Sequence, residues 1–214
     1  MKIIKHNFPA AQYYMQEQVK RIIVLHHTVS GVGVDGDVRW WEQTPEKVAT
    51  PIIIDRDGTV HQIFDPKYWA HHLGIKSWML SQMGSTVSND RLNQISIGIE
   101  LDSWGGLVEK NGKFYNFAGS EVPFKNVIKY PKGYRGYYAY EKYTEAQISA
   151  LKEVLISLHS DFKISLKYNS DMWEYNSKAL KGSWGLWTHA SFRPDKSDCH
   201  PQPELINMLK SLQP

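Results

Sequence analysis

Cysteine is almost absent from this chain of 214 residues: Cys199 stands alone, so no intrachain disulfide can form. No apolar run is long enough to cross a bilayer, and the sequence contains neither an internal repeat nor a low-complexity tract. The net charge is only +3, which is too weak to indicate a nucleic-acid partner but suits an anionic polymer. We therefore expect one globular domain over residues 1–214, stabilised by a hydrophobic core that lies between about 21 and 212.

Short branched apolar runs alternate with amphipathic segments, which is typical of an α/β fold with helices flanking a mixed central sheet. The strongest helix signal covers 145–160, where a capping box at Thr144–Gln147 precedes apolar residues at helical spacing. Asp57-Gly58 predicts a hairpin turn between two apolar runs, and Asn111-Gly112 predicts another. The predicted strands of the central sheet are 22–26, 51–55, 60–64, 95–101 and 185–189.

Weaker patterns predict additional helices along the chain. They are expected after Asp37, after Thr44, and over 10–20, 171–180 and 203–212. Two polar or Gly-, Pro- and Tyr-rich segments are expected to be surface elaborations of the core, namely 75–92 and 103–143.

The strand predicted at 22–26 ends in a pair of histidines, His26 and His27. The strand predicted at 185–189 also ends in a histidine, and the turn after it carries Asp198 and Cys199. A catalytic zinc site needs such a supply, because it combines neutral imidazoles with an anionic ligand and leaves one position open. The spacing alone is a weak signal, since histidines at a strand end are also common as ordinary hydrogen-bonded side chains.

Five stretches of the chain carry a family resemblance: IIVLHHTVS, IIIDRDGTVHQIF, HHLG, NQISIGIELDS and THASFRPDKSDCHP. In this order they resemble the type 2 N-acetylmuramoyl-L-alanine amidases. That family of zinc hydrolases includes bacterial amidases, amidase-type phage lysozymes and animal peptidoglycan recognition proteins. The resemblance extends from about Arg21 to about Leu212 and implies an α/β fold with one zinc ion at the strand ends.

The resemblance implies that the zinc ligands are His26, His189 and Asp198. Asp198 is assigned because it lies two residues after Lys196, as the third ligand does in the family. The chain departs from the usual pattern at this point, since Cys199-His200-Pro201 follows Asp198 where the family commonly has proline. Cysteine also binds zinc, so Cys199 is an alternative third ligand.

The resemblance also implies roles for three residues near the metal. Glu100, in the SIGIE stretch, would act as the general base, and Lys196 would stabilise negative charge on the scissile carbonyl. His72 matches a family histidine near the substrate groove. Thr50 stands where some relatives carry a tyrosine, which leaves the base role to Glu100. Structural or surface roles are expected for the other histidines of these stretches, His27, His61 and His71.

The implied activity is hydrolysis of the amide bond between N-acetylmuramic acid and the L-alanine of the stem peptide. Two alternatives stay open here: a muropeptide-binding module without catalysis, and a zinc amidohydrolase with a different amide substrate. The implied partner is peptidoglycan or a muropeptide, and a monomer is expected. The first residues contain no apolar segment of signal-peptide length. The expected setting is therefore the cytoplasm, release by a phage, or export with the leader already removed.

Overall fold

The computed structural model describes residues 2–212, which form two β-sheets and their surrounding helices. The strands are β1 (Ile3–Lys5), β2 (Ile22–His27), β3 (Ile52–Ile54), β4 (Val60–Gln62), β5 (Ser96–Leu101), β6 (Gly106–Lys110), β7 (Lys113–Tyr115), β8 (Glu121–Val122), β9 (Val127–Tyr134), β10 (Tyr137–Glu141) and β11 (Gly185–Thr188). The helices are α1 (Asp35–Gln43), α2 (Ser77–Gln82), α3 (Asn89–Ile95), α4 (Glu145–Phe162), α5 (Ser177–Leu180), α6 (His189–Phe192) and α7 (Pro203–Ser211).

The central sheet has the strand order β1-β4-β3-β5-β2-β11. Neighbouring strands run parallel except β3 and β4, which form an antiparallel hairpin over the Asp57-Gly58 turn. The sheet is therefore mixed and helices pack against it, so the predicted α/β fold is confirmed. The five predicted strands are all present, each with bounds within two residues of the prediction.

Strand β2 lies between β5 and β11, and all its residues are buried. Its register pairs His26 with Glu100 on β5, and Leu25 with Thr188 on β11. Because the three strands are parallel, their carboxyl ends meet at one edge of the sheet, where α/β proteins bind their ligands. The chain passes from β11 directly into α6, so His189 is the first residue of that helix rather than the last residue of the strand.

Helix α4 packs on the central sheet through a buried apolar face, and it confirms the helix predicted over 145–160. The capping box is complete, because the backbone N–H of Thr144 and that of Gln147 each donate to the other's side chain at 3.0 Å. The Gln147 amide also donates to the carbonyls of Ile54 and Asp102. One side chain thus caps the helix and fastens it to the sheet.

The segment predicted as an elaboration over 103–143 forms a second, five-stranded antiparallel sheet in the order β8-β7-β6-β10-β9. It contains the predicted Asn111-Gly112 turn, in which both residues have positive φ, as a two-residue hairpin requires. The sheet has a small apolar cluster of its own: Leu107, Phe114, Val122, Val127 and Ala139.

The segment 75–92 is more than a surface elaboration, because it contains α2 and most of α3. Met79, Leu80 and Leu92 from these helices are buried in the main core. The side chain of Ser88 caps α3 by accepting the backbone N–H of Arg91.

Four weaker helix predictions need correction, and the C-terminal one is confirmed as α7. Segment 10–20 is helical only over Ala10–Gln12, because the backbone of Tyr14 pairs with that of Trp69. Helix α1 already begins at Asp35, and residues 44–51 form no helix. The predicted helix 171–180 is interrupted by extended backbone at Glu174, which separates a short 3₁₀ turn from α5.

Within residues 2–212, none of the helices combines the length and the apolar character that crossing a membrane would require.

Candidate metal centre

Three buried side chains each bring one ligand atom to the carboxyl edge of the central sheet. His26 stands near the end of β2, His189 at the start of α6, and Asp198 in the turn that follows α6. The Nδ1 atoms of the two histidines are 3.1 Å apart. Asp198 Oδ2 lies 3.2 Å from His26 Nδ1 and 2.8 Å from His189 Nδ1. These three residues are called the triad below.

Backbone contacts position the turn that carries Asp198. The Asp198 carbonyl accepts the N–H of Ala190 at 2.8 Å, so the turn is tied to the first residues of α6. That helix is itself fixed by Thr188, whose hydroxyl donates to the carbonyl of Met172. The second and third members of the triad are therefore held by the same short helix.

The tautomer of His26 can be assigned from a chain of hydrogen bonds behind it. Ser96 Oγ donates its only proton to the carbonyl of Leu92 at 2.7 Å, so it accepts from His72 Nε2 at 2.8 Å. Burial holds the pKa of His72 well below its usual value, so His72 Nδ1 is unprotonated and accepts from His26 Nε2 at 3.0 Å. His26 Nδ1 therefore presents a lone pair to the triad.

His189 is oriented in the same sense by a backbone group. Its Nε2 donates to the carbonyl of Leu73 at 2.9 Å, which leaves Nδ1 to face the triad. A ligating histidine in metal sites commonly donates its other ring nitrogen in this way, because the bond fixes both the tautomer and the ring orientation.

The chemistry of this donor set fits a metal ion. Two imidazole nitrogens and a carboxylate oxygen converge within 2.8 to 3.2 Å of one another, and all three offer lone pairs. Acceptors at this separation repel one another unless a cation lies between them. Ligand atoms around a tetrahedral zinc are about 3.3 Å apart, given bond lengths of about 2.0 to 2.2 Å. The triad is therefore preorganised for an ion such as Zn²⁺.

The protonation states of the triad suit metal binding. Burial, together with the nearby His189, lowers the pKa of His26 to about 4, so its imidazole is neutral at neutral pH. Burial alone would raise the pKa of Asp198, but the adjacent His189 and His26 favour its ionised form and hold that pKa well below the usual range. A neutral imidazole and an ionised carboxylate are the forms that bind a metal.

Cys199, the alternative third ligand, lies outside the triad. Its buried Sγ contacts the hydroxyl of Tyr143 at 2.9 Å. Burial raises the pKa of the Cys199 thiol, whereas a ligating cysteine must lose its proton. The structure brings Asp198, and not Cys199, to the two histidines.

The Glu100 carboxylate faces the same side of the sheet as His26, because the two residues are in register on neighbouring parallel strands. Within residues 2–212, its buried Oε2 atom has no hydrogen-bond partner. Burial raises the pKa of Glu100 well above its usual value, and Asp198 and Asp37 add to this effect. An unpartnered carboxylate with a raised pKa at the edge of a metal centre is suited to accept a proton.

Lys196 is half-buried in the turn that precedes Asp198. Its positive charge makes a small contribution to lowering the pKa of both His26 and Glu100. The role of Lys196 next to the triad stays a prediction.

His72 uses both of its ring nitrogens within the protein, on His26 and Ser96. This arrangement supports a triad histidine from behind, while the predicted contact between His72 and substrate stays a prediction. Gly98 lies under the His72 ring, and a Cβ there would be 3.1 Å from His72 Nδ1 and 2.6 Å from Thr50 Cγ2. The glycine of the SIGIE stretch thus makes room for His72 to reach His26.

The supporting roles of Ser96 and Gly98 were missed by sequence reasoning. Their alternation with Glu100 on one face of a strand is the signal that points to them, because side chains on one face share one environment. The other motif histidines contribute no atom to the triad. His61 bonds to another histidine at 2.9 Å, His71 lies 3.4 Å from a tyrosine hydroxyl, and His27 faces the opposite side of the sheet.

The family model described as N-acetylmuramoyl-L-alanine amidase matches residues 15–202, which is most of the chain and includes the whole triad. The chain belongs to this amidase family. No curated protein matches it.

Several solved structures are similar to this chain in their fold. PlyL is similar with a TM-score of 0.53 at 12% identity, covering 98% of this chain and 96% of that one. The catalytic domain of XlyA has a TM-score of 0.53 at 14% identity, covering 98% and 99%. A mutant endolysin from Bacillus subtilis has a TM-score of 0.51 at 14% identity, covering 92% and 90%. At these identities the likeness shows the α/β fold alone.

Proposed function

We propose that this amidase-family chain hydrolyses the amide bond between N-acetylmuramic acid and the L-alanine of the peptidoglycan stem peptide, with one Zn²⁺ held by His26, His189 and Asp198. The observation that carries the proposal is the convergence of three buried acceptor atoms at the carboxyl edge of the sheet, in a chain of this family. Bound there, zinc would lower the pKa of a water molecule to about 7 and polarise the scissile carbonyl.

Glu100 is proposed as the general base. It would take a proton from the attacking water and later deliver that proton to the departing amine of L-alanine. Its support is the buried, unpartnered Oε2 and the raised pKa, which leave it able to hold a proton between the two steps. Thr50 cannot take this role in place of the tyrosine of some relatives, because its hydroxyl is a poor base and donates to the Ile52 carbonyl.

Lys196 is proposed to stabilise the negative charge that develops on the scissile carbonyl oxygen. An ammonium group near the triad supplies a charge-assisted donor, and the loss of one such donor typically costs about a hundredfold or more in rate. His72 is proposed to hold His26 in the ligating tautomer.

The test is hydrolysis of purified peptidoglycan by the full chain, followed by detection of newly exposed L-alanine amino groups. We expect release that stops when a chelator removes the metal and resumes when Zn²⁺ is added back. Binding without release, in zinc-loaded protein, would instead support a non-catalytic muropeptide-binding module. Zinc-dependent release of other amines, with the muramoyl bond intact, would support a different amide substrate.

A further inference from the structure

A second buried polar cluster lies on the face of β2 opposite to the triad. It is centred on the Tyr143 hydroxyl. This oxygen lies 2.9 Å from His27 Nδ1, 2.9 Å from Cys199 Sγ and 3.1 Å from the backbone nitrogen of His200. All four residues are buried. They are called the Tyr143 junction below.

The direction of each bond in the junction follows from the available protons. The backbone N–H of His200 can only donate, and the Cys199 thiol also donates to the Tyr143 oxygen. Both lone pairs of the Tyr143 oxygen are thus used as acceptors, so its own proton goes to His27 Nδ1. The hydroxyl is fully used, with two bonds accepted and one donated.

Each partner of the Tyr143 hydroxyl lies within two positions of a triad residue in the sequence. His27 follows His26 on β2, and Cys199 follows Asp198 in the turn. The junction therefore links the strand that carries one ligand to the turn that carries another, across 116 and 56 residues of sequence. One oxygen atom thus bonds to both segments, in addition to the backbone bond that ties Asp198 to Ala190.

The Tyr-rich end of the second sheet surrounds the junction and adds to its rigidity. The Tyr143 ring stacks on that of His200, with centroids 4.3 Å apart and an interplanar angle of 19°. His200 Nε2 donates to the Glu141 carbonyl at 3.0 Å, and its Nδ1 accepts from the Tyr130 hydroxyl at 2.8 Å. Tyr134 also donates, at 3.3 Å, to the Cys199 carbonyl.

The structure assigns Tyr143 as a positioning residue for the metal centre, acting through its hydroxyl on the spacing of His26 and Asp198. A phenylalanine would fill the same volume and keep the ring stack, so packing does not require the oxygen. What the oxygen adds is the set of hydrogen bonds to His27, Cys199 and His200. Partners outside the ligand shell typically change metal affinity by about 10 to 100-fold when they are removed. This inference rests on the proposed metal centre.

The experiment measures the Zn²⁺ dissociation constant of the full chain by competition with a chelator at neutral pH. We expect Tyr143→Phe to bind Zn²⁺ about 10 to 100-fold more weakly than wild type. Tyr175→Phe is the matched control, since it also removes a tyrosine hydroxyl, here one bonded to the Met79 carbonyl, which belongs to neither ligand segment. The control should bind as wild type does.

A second pair of variants keeps the test informative if Tyr143→Phe does not fold. Cys199→Ala removes one donor from the junction and should weaken Zn²⁺ binding about twofold to tenfold, the equivalent of one hydrogen bond. Cys199→Ser restores a donor at the same position and should recover most of the affinity. The metal-free unfolding midpoint of each variant is measured alongside, so that lost stability is separated from lost affinity.

Equal affinities in wild type and folded Tyr143→Phe would overturn the role of Tyr143, even if the variant unfolded at a lower temperature. Equal affinities in Cys199→Ala and Cys199→Ser would do the same. A wild-type chain that bound no Zn²⁺ would contradict the metal centre itself, and the proposed function with it.

Discussion

His26 and His27 are neighbours in the sequence, yet they belong to two different regions of the molecule. Side chains alternate across a strand, so His26 faces the triad and His27 faces the Tyr143 junction. Both are buried, and burial lowers the pKa of each to about 4. Burial and a shifted pKa therefore do not distinguish a metal ligand from a structural histidine.

The two regions differ in how their donors and acceptors are matched. In the junction, His27 Nδ1 accepts the proton of Tyr143, so the nitrogen has an ordinary protein partner. In the triad, His26 Nδ1 faces His189 Nδ1 and Asp198 Oδ2, which are acceptors like itself. A buried group of acceptors without donors is the feature that indicates a cation. The comparison teaches that proton accounting, rather than residue type, identifies the metal ligand.

The largest expected effect is the difference in bound Zn²⁺ when His26 and His27 are each replaced by alanine. His26→Ala removes a ligand atom, so we expect both bound Zn²⁺ and hydrolysis of peptidoglycan to fall below detection. His27→Ala leaves all three ligand atoms and should keep one zinc per chain, with affinity lowered about tenfold or less. Metal analysis after gel filtration checks both variants. Full zinc content in His26→Ala would show that the assignment of the triad is wrong.

The next largest effect concerns Glu100, which separates catalysis from metal binding within the triad region. Glu100→Gln keeps the size of the side chain but cannot accept a proton, so turnover should fall by about a hundredfold or more. Zinc content should not change, because Glu100 is outside the triad. Glu109→Gln is the control, since it makes the same substitution at an exposed glutamate on β6 of the second sheet. Normal turnover in Glu100→Gln would assign the base role to another group.

Substitution of Lys196 should lower the rate of hydrolysis by a smaller factor. It should leave the triad and the Tyr143 junction structurally intact. Lys196→Met removes the charge while keeping the aliphatic chain, and kcat/KM for peptidoglycan should fall about a hundredfold. Lys196→Arg should restore part of the rate, because it returns a cationic donor. Steady-state kinetics with zinc-loaded protein measure both variants. A rate in Lys196→Met equal to that of wild type would remove the lysine from the mechanism.

Local sequence patterns were sufficient to predict most of the strands of the central sheet and the helix α4. The runs Ile22–Leu25 and Ile97–Leu101 could be assigned to buried strands because their branched apolar residues leave little alternative. The helix behind Thr144 followed from its capping box and apolar period. The predictions that were wrong lie where a distant partner decides, as at Tyr14, which pairs with Trp69 instead of continuing a helix.

The candidate site could be predicted only in part, and mainly through the family resemblance. The resemblance favoured Asp198 over Cys199 through its spacing from Lys196. The structure separates the two residues, because Asp198 faces both histidines whereas the Cys199 thiol contacts Tyr143. The supporting contacts of His72 and Tyr143 are between residues 24 to 116 positions apart. No local period encodes such contacts, because they depend on how the two sheets meet.

The smallest expected effect is a difference in acid stability, and it concerns the junction. His200 is buried and its pKa lies well below the usual value, because burial disfavours its charged form and His27 adds to this effect. The unfolded chain carries this histidine with a pKa of about 6.5. Below that pH the unfolded state binds one more proton than the folded state at this residue, so the free energy of unfolding falls as the pH falls. Above that pH the residue contributes no pH dependence.

His200→Gln removes this titration while keeping a side chain that can donate to the Glu141 carbonyl. Between pH 7.5 and pH 5.5, wild type should lose about 1.4 kcal/mol more of its unfolding free energy than the variant, since one pKa unit corresponds to about 1.4 kcal/mol. The measurement is urea denaturation at both pH values in the presence of a chelator, so that proton competition for the triad does not contribute. His26, His27 and His72 titrate alike in both proteins and cancel in the difference. Identical pH dependence in the two proteins would mean that His200 is protonated in the folded state, and that the donor–acceptor pattern assigned to the junction is wrong.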